Sequence, residues 1–129
     1  MISGDAPDGA PAEVYRGYLE GGKLGFQRCG DCSSAVFYPR VLCPFCGGAS
    51  LLWQTSSGRA TVYAATAVYR RGVKPYNVVL VDLEEGFRMM SRVEGAPAEE
   101  VEVGMKVTFA VRAGDGGPVA VFEPAGNVA

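Results

Sequence analysis

The sequence predicts a mainly β fold: a short N-terminal helix, a small cysteine-built ribbon and a five-stranded barrel. Three observations predict it. Two Cys-x-x-Cys pairs, Cys29/Cys32 and Cys43/Cys46, stand ten residues apart. Five β-favouring runs punctuated by turn residues follow Gly58. One short apolar stripe with helical spacing precedes the cysteines and stops at Gly21-Gly22.

The helix is read from Ala12 to Glu20. Val14, Tyr15, Tyr18 and Leu19 fall on one face. A helix this short is marginal alone, so the stripe must pack on its own domain or on a partner. Before it, residues 1–11 are rich in Gly, Pro, Ala and Asp and read as a flexible arm.

The cysteines come next. Each Cys-x-x-Cys presents two sulfurs from one tight turn, and two facing turns make a tetrahedral four-thiolate site, the geometry of a closed structural zinc ion. Gly30 and Gly47 permit tight backbone, and Pro44 stiffens the second turn. The spacer is shorter than the roughly fifteen to twenty residues of common zinc patterns. Iron fits four thiolates as well as zinc does. A redox dithiol needs one such pair and leaves the other unexplained. Leu24–Arg28, Val36–Tyr38 and Leu51–Trp53 supply short strands around the knuckles.

After the turn Ser56-Ser57-Gly58 the pattern changes. Arg59–Tyr69 is a long run with small residues on both faces, suited to a sharply curved barrel strand. Arg70–Pro75 reads as a loop, Tyr76–Leu83 as a strand, Glu84-Glu85-Gly86 as a hairpin tip and Phe87–Val93 as its return. Gly95–Glu102 is polar, with room for a helical turn. Lys106–Arg112 alternates, placing Val107, Phe109 and Val111 on one side, and Val119–Glu123 closes the sheet. Five strands in this order suit an OB-type barrel, with other small barrels still open. The resulting organisation is arm and helix over 1–22, ribbon over 23–57, barrel over 58–125 and tail over 126–129.

Composition narrows the function. The 129 residues hold no histidine, which excludes Ser-His and Cys-His catalysis within the chain. All four cysteines are committed to the metal. Twelve basic and fourteen acidic residues give a net charge of -2, not the footprint of a nucleic-acid binder or a polybasic membrane anchor. No run approaches the about 20 apolar residues of a membrane span. The start of the chain lacks a secretory signal pattern. A reducing cytoplasm is therefore expected, where such thiols hold metal rather than form disulfides.

An ordered set of motifs adds a family resemblance. Phe26-Gln27-Arg28-Cys29 is followed by Tyr38-Pro39-Arg40, Cys43-Pro44-Phe45-Cys46-Gly47, Leu52-Trp53, Ser57-Gly58 and Thr61-Val62-Tyr63. Pro75-Tyr76, Val81-Asp82-Leu83 and Met90-Ser91-Arg92 come after them. Over residues 12–125 this order resembles the acyl-CoA-associated zinc-ribbon plus OB-fold family, long catalogued as domain of unknown function thirty-five. The resemblance implies a rubredoxin-like zinc ribbon and an accessory subunit of a thiolase, acyltransferase or aldolase. A hot-dog-fold hydratase is the second choice of partner. It also implies that the partner supplies the catalytic groups and that acyl-CoA sits at a shared site.

Candidate ligand-binding residues follow. Arg70, Arg71 and Lys74 form a basic loop beside Tyr69 and Tyr76, suited to the phosphates of a CoA ester. Met89 and Met90 face opposite sides of a strand, one toward the core and one toward a possible apolar channel, with Arg92 nearby. The CoA-ester set is thus Arg70, Arg71, Lys74, Tyr76, Met90 and Arg92, and the partner-binding set is Val14, Tyr15, Tyr18 and Leu19. Two rival readings stand beside the accessory subunit: an OB-type nucleic-acid module and an independent acyl-CoA hydrolase or transferase.

Overall fold

The N-terminal helix α1 (Pro11–Glu20) begins with Pro at its first position, where the missing N–H costs nothing. The Glu13 carboxylate accepts the Ala10 N–H and steadies the first turn. At the other end Gly22 takes a positive φ of 78°, and the Lys23 N–H returns to the Tyr18 carbonyl at 2.9 Å. That pattern is a Schellman stop, which needs glycine at the left-handed position. A computed structural model describes residues 10–125. Most of the arm and all of the tail read from sequence lie outside the described residues.

Two antiparallel sheets follow. The first has the order β2-β1-β3, from β1 (Gly25–Cys29), β2 (Ala35–Val36) and β3 (Leu51–Thr55). The second comprises β4 (Arg59–Arg70), β5 (Val73–Leu83), β6 (Arg88–Ser91), β7 (Lys106–Gly114) and β8 (Gly117–Pro124). Its order is β6-β5-β4-β7-β8. A parallel bridge from Val93 to Phe122 brings its two ends together, with the Phe122 N–H on the Arg92 carbonyl at 2.9 Å. A meander, a late hairpin and parallel closure make the OB topology.

The strand boundaries are longer than the sequence suggests. Arg70–Pro75 is not a loop: β5 starts at Val73, and the turn is Arg71-Gly72, with Gly72 at φ 76°. Lys74 and Pro75 fall at a register shift between Val68 and Arg70, where the ladder skips. Proline is tolerated at such a bulge because no ladder hydrogen bond is demanded there. The polar stretch read with room for a helical turn holds a single 3₁₀ turn, Ala98–Glu100. Val111 is exposed while Val107 is buried, so the side of β7 that starts in the core is uncovered toward the hairpin end.

One hydrophobic core runs through both modules. Leu24 and Phe26 of the ribbon join Val62, Val79, Val81, Phe87, Met89, Val107 and Phe122 of the barrel. Phe26 and Phe37 both stack on Phe87, with ring centroids 4.9 and 5.1 Å away. The junction is also tied by polar groups. Glu85 accepts the Ser56 hydroxyl at 2.7 Å and the Ser57 N–H at 2.6 Å, while Glu84 pairs with Arg59. Glu84-Glu85 is thus a hairpin tip that clasps the ribbon–barrel linker.

Candidate metal centre and ligand groove

β1 delivers Cys29 as its last residue, and the chain turns back at once to form the first knuckle. The Cys29 N–H donates to the Ser34 carbonyl and the Ser33 N–H donates to the Cys29 carbonyl. The second knuckle repeats this: Cys43 N–H to Gly48 carbonyl, Gly47 N–H to Cys43 carbonyl. The residue fourth after the first cysteine is left-handed in both, Ser33 at φ 66° and Gly47 at φ 79°. Gly47 fits the sequence reading. Gly30 does not supply a left-handed turn; a Cβ there would lie 3.3 Å from the Ser50 carbonyl oxygen, so its role is close approach.

The two knuckles place all four Sγ atoms within 4.8 Å of one another. Cys29 lies 3.6 Å from Cys46, and Cys32 lies 3.7 Å from Cys43. Bonds of about 2.3 Å to a tetrahedral ion give an edge of about 3.8 Å. The cluster therefore fits such an ion. Backbone N–H groups of Asp31, Phe45 and Gly48 point at the sulfurs of Cys29, Cys43 and Cys46, each at 3.4 Å, and would stabilise thiolates.

Without a cation the thiols diverge. Cys32 is drawn down to about 6 by the Ser34 hydroxyl and backbone. The Gly48 N–H favours the Cys46 thiolate, yet contact with Cys29, desolvation and the other two cysteines push it up to about 12. Four thiols this close cannot all ionise unless positive charge sits between them. All four vertices are protein sulfur, so the centre holds structure and offers no open position for a substrate.

The predicted CoA-ester residues divide. Lys74, Tyr76 and Arg92 line one groove of about 360 Å³ between the start of β5 and the segment after β6. The Arg92 guanidinium sits over the Tyr76 ring at 4.8 Å. Glu94 also lines the groove, so its charge is mixed. Arg70 and Arg71 stand apart at the β4–β5 turn. Met89 is buried in the core and Met90 is exposed on the outer face, the split expected of adjacent strand residues. Met90 lies opposite Leu80, and its N–H reaches the Tyr38 hydroxyl at 3.4 Å. The same outer face thus runs from this groove toward an apolar end at Met90 and Tyr38.

The residues of the partner-binding set pack at least in part on the chain's own body. Leu19 is buried, Tyr15 meets the Phe37 ring edge-on at 5.4 Å, and Tyr18 stacks on Trp53 at 5.4 Å. Val14 is half-buried on the same side. Burial, with the nearby Tyr38 second, pushes the Tyr15 hydroxyl up to about 12. The Tyr18 ring covers Gly25 so closely that a Cβ there would lie 2.6 Å from it. The stripe is spent on the chain's own body, because ribbon and barrel together form a groove that the sequence does not display.

Two buried amides escaped the sequence reading. Gln27 donates to the Arg40 carbonyl and accepts the Arg40 N–H, at 2.8 and 2.7 Å. Asn77 does the same with Val93, both at 2.8 Å. The signal for Asn77 was its parity: it shares the inward side of β5 with Val79, Val81 and Leu83. A polar residue there requires a backbone partner.

Comparison with known proteins agrees with this architecture. The family model described as ChsH2, rubredoxin-like zinc ribbon domain, matches residues 18–51. That of the ChsH2 C-terminal OB-fold domain matches residues 53–112. A DUF35 domain-containing scaffold protein of Pyrococcus furiosus is 31% identical, over 81% of this chain and 82% of its own length. The benzoylsuccinyl-CoA thiolase subunit BbsA of Thauera aromatica is 31% identical over 73% and 67%. The chain spans only 28% of another relative, the probable enoyl-CoA hydratase alpha subunit of Thermomonospora curvata, at 32% identity. Among solved structures, a chain of the Ltp2-ChsH2(DUF35) aldolase superposes with a TM-score of 0.78 at 25% identity, covering 94% of this chain and 99% of that one. Among the described residues no helix is long and apolar enough to cross a membrane.

Proposed function

We propose, because the chain belongs to the DUF35 family of zinc-ribbon plus OB-fold proteins, that it is a non-catalytic accessory subunit of a thiolase-superfamily enzyme acting on acyl-CoA. The observation that carries this reading is the full-length match to a chain named as part of an aldolase, by a chain with no histidine and every cysteine in one cluster. Such a chain brings shape rather than reactive groups. C–C bond cleavage or formation would fall to the partner.

In this reading Cys29, Cys32, Cys43 and Cys46 hold a structural zinc ion that supplies no chemistry beyond fixing the ribbon. The groove with Lys74, Arg92 and Tyr76 receives the phosphate end of a CoA ester, two cations and an aromatic face being suited to phosphate and adenine. The apolar strip toward Met90 and Tyr38 lies along the acyl arm. Arg70 and Arg71, outside the groove, are left to a rim role.

Co-expression with a thiolase-superfamily enzyme of the same host tests the reading. The partner should co-purify and lose stability or acyl-CoA C–C activity when this chain is omitted. An enzyme equally stable and active alone would sink the accessory role, and turnover by the isolated chain would install the independent-enzyme reading instead. Arg92→Ala should raise the KM for the CoA ester while leaving assembly intact.

A further inference from the structure

β4 is twelve residues long, but its two edges are used unequally. β5 pairs along nearly all of one edge. On the other, β7 pairs only with Arg59, Ala60 and Thr61, and backbone bonds from Gly104 and Met105 extend this to Val62. From Tyr63 to Arg70, no described residue other than those of β5 shares a backbone hydrogen bond with the strand. The 3₁₀ turn Ala98–Glu100 lies against both β4 and β5 and shares no backbone hydrogen bond with β4.

An open edge of this length is ordinarily blunted by charge, proline, a bulge or a covering segment. Here the β4–β5 register shifts only at the two ends, between Val62 and Ala64 and between Val68 and Arg70, and runs regularly from Ala64 to Val68. The other edge of the sheet shows such blunting: β6 is four residues long, begins with Arg88, is followed by Arg92, and has its Met90 N–H taken by Tyr38. The stretch Tyr63–Tyr69, YAATAVY, carries neither charge nor proline. It is also close to a palindrome centred on Thr66. Its two flanking tyrosines are each held in place: Tyr63 under the Arg88 guanidinium at 3.4 Å, Tyr69 by a hydrogen bond to Glu99 at 3.1 Å.

We propose that the Ala64–Val68 edge of β4 pairs antiparallel with the same edge of a second copy of this chain. A two-fold axis beside Thr66 sets Thr66 opposite Thr66 of the second copy, Ala65 opposite Ala67 and Ala64 opposite Val68. Pairing ends there, because Tyr63 is the extra residue where the β4–β5 register shifts and the Val62 backbone is already bonded to Gly104 and Met105. Small residues meet small ones and no charge lies within the paired stretch, as an isologous interface requires. Thr–Thr pairs are among the favourable cross-strand pairs. A strand of unrelated sequence would gain nothing from the palindrome, which is why a second copy is the occupant. The proposal is independent of the acyl-CoA reading.

Sedimentation equilibrium on the full, metal-loaded chain tests it. The wild type should be a reversible dimer. Thr66 is exposed, so Thr66→Lys can fold, and it sets two ammonium groups across the axis. Its dimer dissociation constant should rise by about tenfold or more, like charges facing each other at short range. Thr66→Glu should behave likewise, and mixing the two variants should restore a dimer. Unchanged metal content and circular dichroism would show that both variants are folded. A wild type that stays monomeric at every accessible concentration overturns the proposal, as do variants that dimerise like the wild type. So does amide protection over 64–68 that appears only when another protein is added.

Discussion

Phe87 is the side chain on which the ribbon and the barrel both depend. Its ring is buried and stacks on Phe26 at 4.9 Å and on Phe37 at 5.1 Å, the two ribbon aromatics that reach the barrel core. Phe87→Ala removes the ring from a site walled on both sides by other rings, so the cavity can close little. Large-to-small changes of this kind cost about 3–5 kcal/mol. Two lost stacking pairs, at about 0.5–1.5 kcal/mol each, place the expectation toward the upper half of that range. For a chain of this size each kcal/mol lowers Tm by roughly 3–5 °C, giving a fall of about 12–25 °C.

The assay follows ribbon and barrel separately. Trp53 is the sole tryptophan and lies in the ribbon strand β3, so its fluorescence reports the ribbon. Far-ultraviolet circular dichroism reports mostly the barrel strands. If the core is one cooperative unit, the two signals coincide in the wild type and fall together in the variant. A Trp53 transition left at its wild-type midpoint while the dichroism transition moves would refute the shared core and restore two independent modules.

Three further outcomes are expected. Cys43→Ser should lose the bound metal, measured by atomic emission, and unfold the ribbon, since structural zinc contributes on the order of 10 kcal/mol. Gly25→Ala should drive the Tyr18 ring off β1 and cost about 1–3 kcal/mol by chemical denaturation, with a changed Trp53 emission because Tyr18 stacks on it. Burial works against the Glu85 carboxylate, but the Ser57 N–H, the Ser56 hydroxyl and its own backbone hold it below the ordinary range. A carboxyl with a depressed folded-state pKa stabilises the fold above its unfolded pKa and loses that contribution as pH falls through the folded one. Stability should therefore drop below about pH 4. Glu85→Gln should flatten that part of the profile, and a profile identical to wild type would remove the clasp from the account.

What the sequence disclosed, and what it hid, follows from the range of each interaction. The cysteine knuckles were legible because all their determinants lie within six residues of chain: two sulfurs, the turn between them and a left-handed position after them. Even so, Ser33 was not, since nothing in its identity announces a positive φ. Barrel strands were legible from alternation, whereas the start of β5 was not, because Pro75 reads as a breaker until the bulge that excuses it is known. The helix stripe shows the general limit most plainly. Periodicity determines that Val14, Tyr15, Tyr18 and Leu19 share a face; it carries no term for what covers that face. The cover includes Phe37, Trp53 and Gly25 of the ribbon and the last barrel strand β8, surfaces assembled only when ribbon and barrel pack together. A glycine at 25 then becomes intelligible as the floor beneath a tyrosine ring. The same reasoning accounts for what stays uncovered: Tyr38 of the ribbon and Met90 of the barrel remain exposed after the chain has satisfied itself.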